Sequence, residues 1–145
     1  VGCSFQEGGK IMKVTFLTLL GGLLLLASSG CNNHCGAGCS NEPYVSASSF
    51  DFIYEGDFYN YTASESYFWS TSLSDAFVSF EGIGFYGSVR IRIFDMFNYL
   101  IFDETFIGNG GTLRAKLISD FGFSGLWEVQ IDSFQVDGFV SIILD

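Results

Sequence analysis

From residue 86 onward, apolar and polar positions alternate. In GSVRIRIFD, Val89, Ile91 and Ile93 point one way and Ser88, Arg90 and Arg92 the other. In GTLRAKLI, Leu113, Ala115 and Leu117 oppose Thr112, Arg114 and Lys116. GLWEVQID sets Trp127, Val129 and Ile131 against Glu128, Gln130 and Asp132, and in GFVSIILD Val140, Ile142 and Leu144 share a face. A period of two with one apolar face predicts half-buried antiparallel strands. Turns are expected at Gly108–Gly111, Gly122–Gly125 and Asp137-Gly138. Four earlier runs, Phe50–Tyr54, Phe58–Ala63, Tyr67–Ser70 and Ala76–Glu81, bring the expected total to about eight strands. Two packed antiparallel sheets, an all-β sandwich, would bury the shared faces.

The N-terminal pattern is different. Val14 to Leu26 is a mainly apolar run of 13 residues. That is shorter than the roughly 20 residues a spanning helix needs. It fits the apolar core of a signal peptide, with Lys10 and Lys13 before it and Ala27-Ser28-Ser29-Gly30 after it. Gln6-Glu7-Gly8-Gly9 lies just upstream of Met12 and must be encoded by a purine-rich tract of the kind that forms a bacterial ribosome-binding site. Residues 1–11 are therefore expected to be translated leader, with Met12 the start and residues 12–30 the signal.

Leu26-Ala27-Ser28-Ser29-Gly30-Cys31 resembles a bacterial lipoprotein signal. The resemblance implies cleavage before Cys31 and a diacylglyceryl group on its sulfur. Ordinary cleavage after Ser29 is the rival, since Ala27-Ser28-Ser29 also has small residues at the right spacing. It would leave three cysteines, one of them unpaired, whereas lipidation uses Cys31 and leaves Cys35 and Cys39 free to form a disulfide or to stay reduced. Each buried CH₂ of an acyl chain contributes about 0.8 kcal/mol, and two or more chains anchor stably. Cys31, His34, Cys35 and Cys39 have metal-ligand chemistry, but their spacing matches no zinc pattern. Residues 31–47 read as a polar leash, and residues 48–145 as the folded domain.

Charge narrows the partners. The whole chain carries −10, and without Glu7, Lys10 and Lys13 it keeps 15 acids and 4 bases, or −11. Nucleic acid is not an expected partner, because phosphate contacts need a basic surface. Anionic headgroups repel the domain, so a lipid anchor would hold it off the membrane. The four bases of the body, Arg90, Arg92, Arg114 and Lys116, lie at i, i+2 spacing on two strands. They could form a basic docking patch; pairing with an acidic stripe such as Glu128 and Asp132 is the favoured alternative.

Residues 67–145 resemble the small β-sandwich domains of the bacterial pre-peptidase C-terminal type. The carrying features are VRIRIFD, then NYLIFDETF, a Gly-rich gap, Gly125-x-Trp127-x-Val129-x-Ile131, and Gly138-x-Val140-x-Ile142-x-Leu144. Asn98 stands where that family often has a turn glycine. The resemblance implies a non-catalytic accessory or binding domain with a jelly-roll-like sandwich, and it carries over no active-site residue.

The chemistry available to the body agrees with that. His34 on the leash is the single histidine, and residues 48–145 hold no cysteine, so nucleophile–histidine catalysis has no parts there. No phosphate-binding or dinucleotide glycine motif occurs. Asp51, Glu55 and Asp57 cluster, and Asp132 and Asp137 bracket a predicted loop, but neither group has the alternating acids of an EF-hand. Calcium is the metal considered for these acids, solvated acids are the favoured alternative, and no other cofactor is expected. Nine aromatics fall within Phe50–Trp69, more than one inner face usually takes. Tyr54, Tyr59, Tyr61 and Trp69 are therefore candidates for an exposed sugar-stacking platform. The expected protein is a lipid-anchored cell-envelope domain at the outer membrane or cell surface, not an enzyme. Its expected partners are the membrane through its lipid and an envelope protein or a glycan.

Overall fold

Every segment in which the alternation was read becomes strand in the computed structural model, which describes residues 41–145. The strands are β1 (Tyr44–Ala47), β2 (Phe52–Thr71), β3 (Phe77–Phe94), β4 (Leu100–Asn109), β5 (Leu113–Ile118) and β6 (Gly125–Leu144). They form one antiparallel sheet in the order β1-β2-β6-β3-β4, with β5 also pairing with β3. The leader, the signal, the lipidation and disulfide cysteines and His34 lie outside the described residues. β1 falls within the stretch expected to be leash: directly after Pro43, its four residues pair with Phe52–Glu55.

Six strands in one sheet replace the eight expected: three run unbroken through predicted boundaries, which leaves four, and β1 and β4 are added. β2 absorbs three predicted strands, β3 two and β6 two. The segments between them bend without turning. The β2–β6 ladder shifts register between Phe58 and Ala63, and the β3–β6 ladder between Ile83 and Ser88. Asn60, Gly84, Gly87, Gln135 and Gly138 all take positive φ around this line. Bulges of this kind bend a strand sharply and raise its twist without ending it. The three long strands bend together, so their ends meet again.

Ring contacts show the return. Phe52, near the start of β2, lies 6.4 Å from Trp69 near its end, and Tyr54 lies 6.0 Å from Tyr67. Phe80 in the first half of β3 stacks at 4.1 Å on Phe106 of β4, which pairs with the second half. The halves of one sheet thus bury a common core that includes Trp69, Trp127, Ile91, Ile93, Ile131 and Ile142. The Trp69 and Trp127 rings meet edge to face at 5.5 Å, and both side chains are fully buried. Their indole N–H groups donate to the carbonyls of Ser48 and Phe123.

The fold therefore has a bend end and an open end. Asn60, Gly84 and Gln135 mark the bend end, and the β4–β5 turn joins them there through hydrogen bonds between Phe85 and Gly110 and Gly111. Asn41 is at that end too: its side chain accepts from the Tyr59 N–H and donates to the Tyr59 carbonyl. At the open end, strand termini and four loops gather: 48–51, 72–76, 95–99 and 119–124. Gly138 shows how tightly the bend is built. Its φ is +97°, and a Cβ there would sit 2.5 Å from the Gly84 carbonyl oxygen. Gly138→Ala is expected to destabilise the fold by about 3 kcal/mol, through left-handed strain and backbone displacement together. A denaturant titration of the variant against the parent protein measures it.

Candidate functional site

The predicted aromatic platform does not assemble at the surface. Tyr54 and Trp69 are buried in the core, Tyr61 is half-buried, and of the four only Tyr59 is exposed. Because β2 crosses the fold twice, one of its faces meets the core from both sides and absorbs most of the nine aromatics. Glu65 ties up the rest of the cluster. Its carboxylate accepts from the Tyr54 hydroxyl at 3.0 Å and the Tyr67 hydroxyl at 2.8 Å. Burial, and next the Glu65 charge, push the Tyr61 phenol up to about 12. Burial likewise raises Tyr54 and Tyr67, with Glu65 adding to the effect. These phenols form a clasp between the two passes of β2.

The basic patch resolves into ion pairs. Arg90 binds Asp103 through two bonds of 2.7 Å, Arg92 binds Asp132 at 2.7 Å, Arg114 binds Glu81, and Lys116 lies 3.8 Å from Asp145. Asp132 is thus the partner the sequence suggested, while Glu128 accepts from Ser66 and Gln130. A shallow cleft of about 320 Å³ on the outer face of β3, β5 and β6 is lined by two of these pairs' residues, Glu81, Arg114 and Lys116 among them. Its charges already have partners.

The candidate calcium acids are dispersed as well. Asp132 and Asp137 both lie within β6 and bracket no loop; Asp137 accepts from the Asn60 N–H. Asp51 accepts from the Ser48 hydroxyl. Among the described residues, no group of three or more His, Cys, Asp or Glu side chains is placed to hold a metal ion.

The open end is organised differently. Asp95 ends β3 as a buried carboxylate, only 4 % exposed. One oxygen accepts from the N–H groups of Phe97 and Tyr99, both at 2.9 Å. The other accepts from the Phe123 N–H at 3.0 Å, across to the loop that precedes β6. Burial opposes the Asp95 charge, but the three backbone donors outweigh it and hold the carboxyl below its ordinary range. Asn98 takes φ +64° in this turn, a conformation that asparagine tolerates better than most side chains. The second loop is pinned by the Asp120 N–H on the Ile101 carbonyl and the Gly122 N–H on the Ser74 carbonyl.

The two loops so fixed carry large apolar side chains outward. Phe97 and Phe123 meet edge to face at 5.1 Å. Phe97 is 57 % exposed, Tyr99 62 %, Phe121 76 % and Phe123 53 %. Leu126 and Phe68 continue the surface onto the outer sheet face, where Leu126 pairs with Ser70 and Phe68 with Glu128. A rigid frame that presents apolar rings to water fits a docking surface, since such patches on soluble domains mark interaction sites. The sequence reading missed it. The available signal was an acid closing a strand, Asp95, followed by a tight-turn Asn98 amid aromatics, and the second aromatic pair Phe121-Gly-Phe123.

Charge sets the acid and alkaline limits of this structure. Asp95, Asp103, Asp132 and Glu128 all have folded values lowered by their donors. The unfolded chain then takes up protons first as pH falls. Their stabilisation is complete above the ordinary values of 3.8 for Asp and 4.5 for Glu, and is lost as pH drops through the lowered folded values. The buried tyrosines act oppositely, with stability present below 10.0 and lost as pH rises through about 12 for Tyr61. The thermal midpoint is expected to be level between about pH 6 and 9 and to fall outside it. Scanning calorimetry across pH reads both limbs.

No protein-family model matches the chain, and no curated protein and no solved structure matches it either.

Proposed function

We propose that this chain is a lipid-anchored, non-catalytic binding or structural module of the bacterial cell envelope, and that its open end is the docking face. One observation carries the second part: six large apolar side chains stand exposed around two loops that a buried carboxylate locks in place. Rigid presentation lowers the ordering cost of binding. The anchor rests on the resemblance of Leu26–Cys31 to a lipoprotein signal. The ring contacts between the two halves of the sheet support reading it as a jelly-roll-like sandwich of the kind that the resemblance of residues 67–145 implies.

A glycan reading survives through the exposed Tyr99 and Tyr59, but it lost Tyr54 and Trp69 to the core. Phenylalanine and leucine dominate the open end and offer a sugar no hydrogen bond, which favours an apolar protein surface as partner. The anchor is tested by the mass of the N-terminal peptide from the membrane fraction. Acylated Cys31 as the first residue supports it, and an unmodified N-terminus at Gly30 overturns it.

A further inference from the structure

The exposed surface at the open end has a measurable size. A phenylalanine or tyrosine offers about 150–250 Å². Five aromatics and Leu126, each exposed by half to three quarters, therefore present roughly 700 Å² of surface in all. That exceeds the largest patch of most monomers, about 300–600 Å². It approaches the roughly 800 Å² per partner of a standard stable interface, and two such faces together would bury about 1,400 Å².

We infer that the open end docks on a second copy of this chain, face to face about a two-fold axis. The inference rests on the docking-face reading above. Area is the first argument, since the patch alone supplies what a stable dimer needs. Charge is the second. Phe68, Phe97, Tyr99, Phe121, Phe123 and Leu126 carry no charge, and neither open-end loop contains Lys or Arg. The arginines of the body are paired along the strands, and Lys116, over the Phe77 ring, is paired with Asp145. An anionic membrane or an acidic partner therefore finds no cation within the two loops to attract it. An isologous contact sets apolar face on apolar face and leaves the acids, such as Asp120 and Asp75, at the rim. Those rim acids repel across the axis, so the contact strengthens with salt, opposite to a contact held by ion pairs.

The test uses the full chain in the membranes of expressing cells. Phe121 is replaced by the photo-crosslinking amino acid p-benzoylphenylalanine, and two differently tagged copies are made together. The expected product is an adduct of twice the chain mass carrying both tags, with the crosslink mapping to residues 95–99 or 121–126. Its yield is expected to rise several-fold between about 0.05 and 0.5 M salt, over which the screening length shortens markedly. Phe68→Ser, outside the loops, should lower the yield at least tenfold, as should Phe97→Ser with Phe123→Ser, while the unfolding midpoints stay near that of the parent. An adduct mapping to the bend end means head-to-tail contact and overturns the inference. An adduct only with another protein or with lipid overturns it but leaves the docking face standing. No adduct of any kind overturns both.

Discussion

Asp95→Ala is expected to cost about 3–5 kcal/mol and to dissolve the docking face. The side chain serves three backbone N–H groups in two loops, and alanine leaves all three without an acceptor. Each buried donor left unsatisfied costs about 1–3 kcal/mol, reduced where a loop can swing out to water. The loops at 95–99 and 119–124 would pay by opening, so the loss divides between global stability and local order. Chemical denaturation reads the first part, and amide exchange of Phe97, Tyr99 and Phe123 reads the second. Asp95→Asn separates charge from shape, because one amide oxygen can still accept where the NH₂ cannot. It should fall between the parent and alanine, and flatten the acid limb of the stability profile. An alanine variant as stable and as protected as the parent would show that the carboxylate does not organise these loops.

The second large effect is at the centre. Trp69→Ala removes a fully buried ring from edge-to-face contact with Trp127 and takes away the donor to the Ser48 carbonyl. Truncating a buried tryptophan costs about 3–5 kcal/mol, and a domain of this size has about 5–15 in all. The variant is expected to lose about half of its stability or to unfold near room temperature. Trp69→Phe keeps most of the packing and should recover more than half of the loss. Tryptophan fluorescence during urea unfolding measures both, with Trp127 as the remaining reporter. A loss under about 1 kcal/mol for alanine would mean that the two passes of β2 do not close on each other.

The alternation at 125–132 and 138–144 predicted which side chains face inward, and Trp127, Val129, Ile131, Val140, Ile142 and Leu144 are all buried. Val89, Ile91 and Ile93 agree. Leu117 shares the inward face, since it pairs with the buried Val78, but at the end of a short edge strand it stays 37 % exposed. Strand number was less legible, because a glycine that bends a strand looks the same in sequence as one that ends it. Asp137-Gly138 reads as a turn, yet Asp137 pairs with Tyr86 and Gly138 with Phe58, and β6 continues. The core role of Tyr54 and Trp69 was hidden for a related reason. Aromatic surplus along Phe50–Trp69 implied exposure only on the assumption that each strand meets the core once. The Asp95 frame joins residues 28 apart, a relation that no local pattern contains.

The position of β6 has a consequence for how the chain is made. β6 lies between β2 and β3 and supplies the long ladder of each, yet it is the last of the six strands to be synthesised. Phe52 must find Leu144, and Val78 must find the same residue from the other side. Before β6 emerges, β2 holds only the four-residue β1, and β3 holds β4 and β5 as a separate piece. A nascent chain in that condition keeps its two long apolar strands open until β6 follows, exposed to chaperones and to other nascent copies. Folding is then a late event, slow because its contacts are distant in sequence.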